Sequence, residues 1–310
     1  MIETIRSDLL QWFAQHARDL PWRRTRDPYA IMVAEVMLQQ TQVERVIPKY
    51  HAFLATFPTV TALAAAPTAE VIRLWAGLGY NRRAINLQRA AQIIVDQYGG
   101  QVPRSVAGLR SLPGIGPYTA GAIACFAFEQ DVAFLDTNIR RVVRRLCVGP
   151  DHETIATTSD TDLLAHAEAL VPPGQGWAWN QAIMELGALI CTASNPACWR
   201  CPLRRHCRAY AAAVAADTTL FAPVTAPRLK RVAESRSTEP FVGSRRWYRG
   251  RIINALRAIP SGTTLPLSEL GPRVRADFSA DHEPWLQELL HDLARDGLLV
   301  MNEQGVRLPD

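Results

Sequence analysis

The stretch SLPGIGPYTAGAIACFAF, Ser111 to Phe128, sets two glycines one residue apart, then a proline, a tyrosine and a run of small and apolar residues. LPGIG reads as a tight turn and its flanks carry helical spacing, so the segment is a helix, a hairpin and a second helix. Gly114 and Gly116 let backbone approach a ligand with no Cβ in the way. The first N–H groups of the following helix have no partner within it, and together with the helix dipole they favour an anion. An ordinary turn between two packed helices would use the same residues, so the hairpin needs a second signal.

That signal lies downstream. Cys191, Cys198, Cys201 and Cys207 are separated by six, two and five residues. Four thiolates this close can hold a tetrahedral zinc or an iron–sulfur cluster. A zinc ribbon has two short C-x2-C knuckles, and here there is one. The asymmetric order resembles the 4Fe–4S loop of the endonuclease III and MutY glycosylases, so a 4Fe–4S cluster is expected and zinc is the alternative. Arg200, Arg204, Arg205 and Arg208 surround the thiols. Arginines on a rigid metal loop suit phosphate contact, although a solvated basic face would look the same. Cys125 and Cys147 stand apart in apolar surroundings and read as core thiols.

The totals agree with a polyanionic partner without demanding one. The chain has 310 residues, a formal charge of +5 and 48% hydrophobic residues, with a sequence pI near 9.0. It has room for two or three packed units. The cations are nearly all arginine, with Lys49 and Lys230 the only lysines. No apolar run is long enough to span a membrane. The N-terminus lacks a signal peptide's apolar centre, and the protein is expected to be cytoplasmic, nucleoid-associated if bacterial, and a monomer.

Almost everything up to residue 212 carries apolar residues at helical spacing, including YAIMVAEVMLQQTQVERVIPKYHAFLATF from Tyr29, and strand alternation is weak. The architecture is all-α. Residues 213–246 lose periodicity and read as a linker or extended arm. From Trp247 a new unit, 247–310, shows three amphipathic segments and then LLVMNEQGVRLP, two short strands around a turn. A small winged-helix-like unit is expected, a plain helical cap being the other reading.

Five segments together resemble the helix-hairpin-helix DNA glycosylase superfamily, closest to its MutY adenine-glycosylase branch. They are LPWRRTRDPYAIMVAEVMLQQTQVERVIPKY, WAGLGYNRRAINLQRAA, LPGIGPYTAGAI, FLDTNIRRV and ELGALICTASNPACWRCPLRRHC. They run in family order from about Leu20 to Cys207. The resemblance implies a two-lobed glycosylase domain over 1–212, with its iron–sulfur loop at 191–207. It also implies double-stranded DNA carrying a mismatch or lesion as partner, and removal of adenine opposite 8-oxoguanine or guanine.

Excising a base requires flipping it from the stack, protonating it as it leaves and stabilising a cationic sugar. Asp136, which on composition reads as a helix N-cap, matches the family aspartate that faces the sugar, and Asn138 matches the family asparagine, which orients Asp136 or a water. Glu35 lies in a strongly apolar helix, where a carboxyl is costly unless partnered or protonated. It matches the acid that protonates adenine. Gln39, Gln40 and Thr41 resemble the segment that wedges into the vacated stack, and Tyr80 resembles the tyrosine beside 8-oxoguanine. Trp22, Arg23 and Glu185 resemble base-pocket residues, although Trp22 also reads as plain core.

Tyr118 stands where endonuclease III places the lysine of its lyase chemistry, and neither lysine of this chain lies in a catalytic segment. Little or no lyase activity is expected. The chain departs from many MutY proteins in having too few C-terminal residues for the domain that recognises 8-oxoguanine, so the linker arm or the terminal unit is expected to help. Two other readings stay open. A thymine- or uracil–guanine mismatch glycosylase of the same fold is one, and a catalytically silent lesion binder is the other.

Overall fold

The computed structural model describes residues 1–216 and 240–310. Its helices are α1 (Ile2–His16), α2 (Pro28–Leu38), α3 (Val43–Thr56), α4 (Val60–Ala65), α5 (Thr68–Leu74) and α6 (Arg82–Tyr98). There follow α7 (Val106–Arg110), α8 (Pro117–Phe128), α9 (Thr137–Val143), α10 (Asp151–Thr154), α11 (Asp160–Leu170), α12 (Gly176–Leu189) and α13 (Arg208–Ala215). The chain ends with α14 (Arg245–Arg257), α15 (Leu267–Val274), α16 (Glu283–Arg295) and a hairpin of β1 (Val300–Asn302) and β2 (Gly305–Arg307). Two compact units emerge. One is Met1–Ile31, Arg104–Arg110 and Gly116–Glu234; the other is Met32–Pro103, Ser111–Ile115 and Ser235–Asp310.

In the first unit α8 is the central element. Every residue from Thr119 to Ala127 is buried, as a helix apolar on all sides must be. Gly121 makes this possible, because a Cβ there would stand 2.8 Å from the Cβ of Phe134. Gly187 on α12 does the same for α9, since its Cβ would fall 2.7 Å from that of Asn138. Residues 132–135 lie in no strand, and Phe134 sends its ring against Phe126 and Tyr118. After α9 the helix widens into a π turn over Arg144–Val148.

In the second unit the long apolar run from Tyr29 is not one helix. It breaks between α2 and α3, where Gln40 takes a left-handed φ of 55°. The last carbonyls of α2 would be left without helical partners, and Arg83 supplies them. Its Nη1 donates to the oxygens of Val36, Met37 and Gln39 at 2.9, 2.9 and 2.5 Å. Periodicity alone does not register a helix end stabilised from 44 residues away.

The terminal helices share one apolar core with α5 and α6. Ile252, Ile253 and Leu256 of α14 and Leu286, Leu289 and Leu290 of α16 close on Ala69, Ile72 and Ile85. Each large side chain so buried is worth about 1.5–3 kcal/mol. Arg257 pins the junction by donating to Ile72 O at 2.8 Å and to Asn81 Oδ1 at 2.9 Å; burial pulls its pKa down to about 10. The segment set apart in sequence as a terminal unit therefore packs as part of a larger one. Of the stretch 213–246, residues 217–239 lie outside the described residues, and its two ends belong to α13 and α14.

Candidate functional site

Asp136 caps α9. Its Oδ1 accepts from the Ile139 N–H at 2.5 Å and its Oδ2 from Asn138 Nδ2 at 3.2 Å. The composition-based reading as an N-cap is thus correct, and it does not exclude chemistry, because a cap fixes a carboxylate in one orientation. Burial pushes the Asp136 pKa up, and the N–H bonds from Ile139 and Asn138 offset this in part. The result is a half-buried carboxylate held in place but incompletely solvated, so it gains from a nearby positive charge.

Asn138 is itself held. Arg141 Nη2 donates to Asn138 Oδ1 at 2.8 Å and to Gly187 O at 2.7 Å, while Arg141 Nε donates to Cys191 O at 2.7 Å. Arg145 continues the line with Nη1 on Thr192 O at 2.7 Å and 3.5 Å from Cys191 Sγ. The first cysteine of the loop is thereby tied to the helix that carries Asp136.

The four loop cysteines form no disulfide. Burial pushes Cys201 up to about 12, and the neighbouring Cys191, Cys207 and Cys198 push it in the same direction. Cys207 is raised chiefly by burial as well, with Cys191 and Cys198 contributing. Cys198, Cys201 and Cys207 are all raised by burial and by neighbouring thiols, so a cationic group in the loop would favour their thiolates. The residues fit a resident 4Fe–4S cluster, which would be held by Cys191, Cys198, Cys201 and Cys207. Arg200, Arg204 and Arg205 are exposed around them.

Tyr118 occupies the first turn of α8, half-buried, with its ring edge-on to Phe134 at 5.5 Å. The hairpin glycines have different roles. Gly114 has φ of 79°, and a Cβ there would stand 2.9 Å from Asn86 Cβ, so the fold itself requires glycine. Gly116, the N-cap of α8, has an ordinary extended conformation. A Cβ on it would meet no atom within 4 Å, so packing within the fold does not require glycine there.

Glu35 is 3% exposed on α2, flanked by Ala34 and Val36, both buried. Gln39, Gln40 and Thr41 form the break after α2. Thr41 Oγ1 accepts from Arg83 Nη2 at 3.0 Å, and Gln39 Nε2 reaches Gly114 O at 3.4 Å. Tyr80 is 48% exposed and holds a left-handed φ of 46°, a strained state for a bulky residue.

Glu185 has no accessible surface. Its Oε1 accepts from the backbone N and Nε of Arg18 at 2.8 and 2.9 Å, and its Oε2 from Arg23 Nη2 at 2.9 Å. Burial alone would raise its pKa, but the two arginines win and hold it at about 2. Arg23 and Glu185, expected in a base pocket, are thus committed to each other in a buried clamp, and Trp22 beside them is 7% exposed. One residue escaped the sequence reading: Arg83 lies within NRRAIN, where it is half-buried and its neighbour Arg82 is exposed.

Two family patterns match the chain. That of the HhH-GPD superfamily of base excision DNA repair proteins covers residues 33–165. That of the iron–sulfur binding domain of endonuclease III covers residues 191–207. Fold and loop together define a helix-hairpin-helix base excision DNA repair protein with a 4Fe–4S cluster. The chain is 40% identical over 296 residues to the adenine DNA glycosylase of Mycolicibacterium smegmatis, across 94% of this chain and 90% of that one. It is 44% identical over 218 residues to the human adenine DNA glycosylase, across 67% of this chain and 40% of that longer one. Among solved structures, a thermostable thymine-DNA glycosylase superposes with a TM-score of 0.63 at 31% identity, over 68% of this chain and 97% of that one. The chain belongs to the adenine DNA glycosylase family. Among the described residues no helix is long and apolar enough to cross a membrane.

Proposed function

We propose that this protein excises adenine mispaired with 8-oxoguanine or guanine in duplex DNA, by hydrolysis of the N-glycosidic bond, and stops at the abasic site. The observation that carries the reading is Glu35, a carboxyl 3% exposed within the apolar helix α2, a place where an acid is costly unless it is partnered or protonated. Glu35 donates a proton to the departing adenine, the base leaves with the bonding electron pair, and the sugar becomes an oxocarbenium-like cation. Asp136 faces that cation. Its carboxylate, raised in pKa by burial, is stabilised as positive charge develops. Water then adds to the anomeric carbon as its proton passes to the Glu35 carboxylate, which restores the acid.

Gly116 and the first N–H groups of α8 grip a phosphate, which positions the duplex and reads no sequence. Gln39, Gln40 and Thr41 fill the space left by the flipped base, with Tyr80 beside the opposite base. Trp22 and Arg23 border the adenine pocket, and Glu185 acts through Arg23. When bound, the 4Fe–4S cluster braces the loop that presents Arg200, Arg204 and Arg205 to the DNA backbone.

The test uses duplexes with A opposite 8-oxoguanine, A opposite G, T opposite G and U opposite G, for wild type and Asp136→Asn. Cleavage of the A strand after alkali, lost in Asp136→Asn, is expected. Cleavage confined to T or U strands would overturn the reading and favour a mismatch glycosylase like the superposed thymine-DNA glycosylase. Binding without release of any base would identify a silent lesion binder.

A further inference from the structure

Arg145 lies in the π turn that follows α9, and all of its side-chain N–H groups are engaged. Nη1 donates to Cys191 Sγ at 3.5 Å and to Thr192 O at 2.7 Å. Nη2 donates to Ala193 O at 3.1 Å and to Asp151 Oδ2 at 2.6 Å. Nε donates to the same Asp151 oxygen at 3.0 Å. A guanidinium has no further donor to offer, so this one is fixed against a sulfur of the iron–sulfur loop from several sides. The Arg145 and Asp151 side chains are 13% and 27% exposed, and salt screens such a pair only in part.

The carboxylate is not arranged as one kept for stability would be. A fork-to-fork pair sets one N–H on each oxygen. Here both N–H groups converge on Oδ2, and Oδ1 is buried with no hydrogen-bond partner among the described residues. A bare buried acceptor weakens a fold. What the pair supplies is charge beside a ligand sulfur. Four thiolates around an iron–sulfur core carry net negative charge, and the potential of such a core follows the local charge and the hydrogen bonds to its sulfurs. A cation at Cys191 Sγ favours the more negative, reduced level. An anion on that cation offsets the effect.

We infer that Asp151 is a redox-tuning residue. Acting through Arg145, its charge lowers the potential at which the bound cluster gives up an electron, and so makes the cluster of this protein more readily oxidised. Among the described residues the Asp151 side chain bonds Arg145 and none of the cysteines. The inference needs only the cluster, and stands whichever base the protein excises.

Full-length wild type, Asp151→Asn and Arg145→Gln are purified with the cluster bound. The midpoint potential for one-electron oxidation is measured by protein-film voltammetry without DNA. Iron content and melting temperature are taken in parallel, and bleaching of the visible absorbance by ferricyanide is timed. Asp151→Asn keeps the shape and removes the charge. Its one-electron equilibrium should shift about tenfold against oxidation, a rise of about 59 mV, and ferricyanide should bleach it more slowly than wild type. Arg145→Gln removes the cation and should move both readings the other way. If Arg145→Gln loses its cluster on purification, Asp151→Asn alone decides. Loss of iron or of stability from Asp151→Asn without a rise in potential would show a mere latch on the loop and overturn the inference. So would an unchanged potential, a fall in potential, or a shift of both variants in the same direction.

Discussion

Arg141 donates to Asn138 Oδ1 across 2.8 Å, and that bond decides which way the Asn138 amide points. With its oxygen taken by Arg141, the nitrogen is left to face Asp136 Oδ2 at 3.2 Å. The Asp136 carboxylate is therefore oriented at one remove by an arginine that also holds the first cysteine of the iron–sulfur loop.

Asn138→Asp replaces a donor with a second carboxylate against Asp136. Like charges at this separation disfavour joint ionisation, and the Asp136 pKa, already raised by burial, moves further up. Adenine release at neutral pH should fall about 100-fold, a loss of about 2.7 kcal/mol. The acid limb of the pH–rate profile should shift to higher pH. A profile of wild-type shape would show that the two groups do not titrate together.

Asp136→Asn separates chemistry from stability. The folded-state pKa is raised, so ionising this group above that pKa costs the fold stability instead of adding to it. Asparagine keeps the cap through its oxygen, but its amide nitrogen then meets Asn138 Nδ2 donor to donor, which offsets the relief. Excision should be lost while the melting temperature changes by no more than about 2–4 °C, the shift that ~1 kcal/mol produces in a domain of 150–250 residues.

The Glu185 clamp makes the opposite prediction. Its folded pKa is held at about 2 against an ordinary 4.5, so its stabilisation is fully present above pH 4.5 and is lost as the pH falls towards 2. With Arg18 partly exposed, the contribution is about 2–3 kcal/mol. Glu185→Gln should lower the urea midpoint at neutral pH by the equivalent amount and leave a smaller stability loss between pH 5 and pH 3.

Tyr118→Lys places a primary amine in the first turn of α8, where a lyase would carry one. Wild type should give no covalent adduct with cleaved DNA under borohydride, and Tyr118→Lys should give one. Efficient trapping of wild type would show that another amine does this chemistry.

Cys201→Ser removes one of four coupled donors. The protein should lose its visible absorbance, melt at lower temperature, and bind duplex DNA about tenfold more weakly. The salt dependence of binding should also shallow, as the loop arginines cease to meet phosphates. Unchanged affinity would show that the loop bears no DNA contact.

The ligand set and the hairpin were legible in sequence because their chemistry is local: cysteine spacing, adjacent glycines and an aspartate before a helix act within a few residues. The α2 break was not, because Arg83 stabilises it from the start of α6. Gly116 and Gly114 looked equivalent in sequence. Only their surroundings separate a glycine required by a backbone angle and by Asn86 from one with open space beside it.

The sequence by itself carried the family and the cysteine loop, since both rest on residue type and spacing. The tertiary structure alone decided that Arg18 and Arg23 clamp Glu185, that the terminal helices share the core of α5 and α6, and that Arg246 meets Tyr80 166 residues away. Burial and long-range charge pairing arise from packing, and no local pattern encodes which distant partner will complete a site.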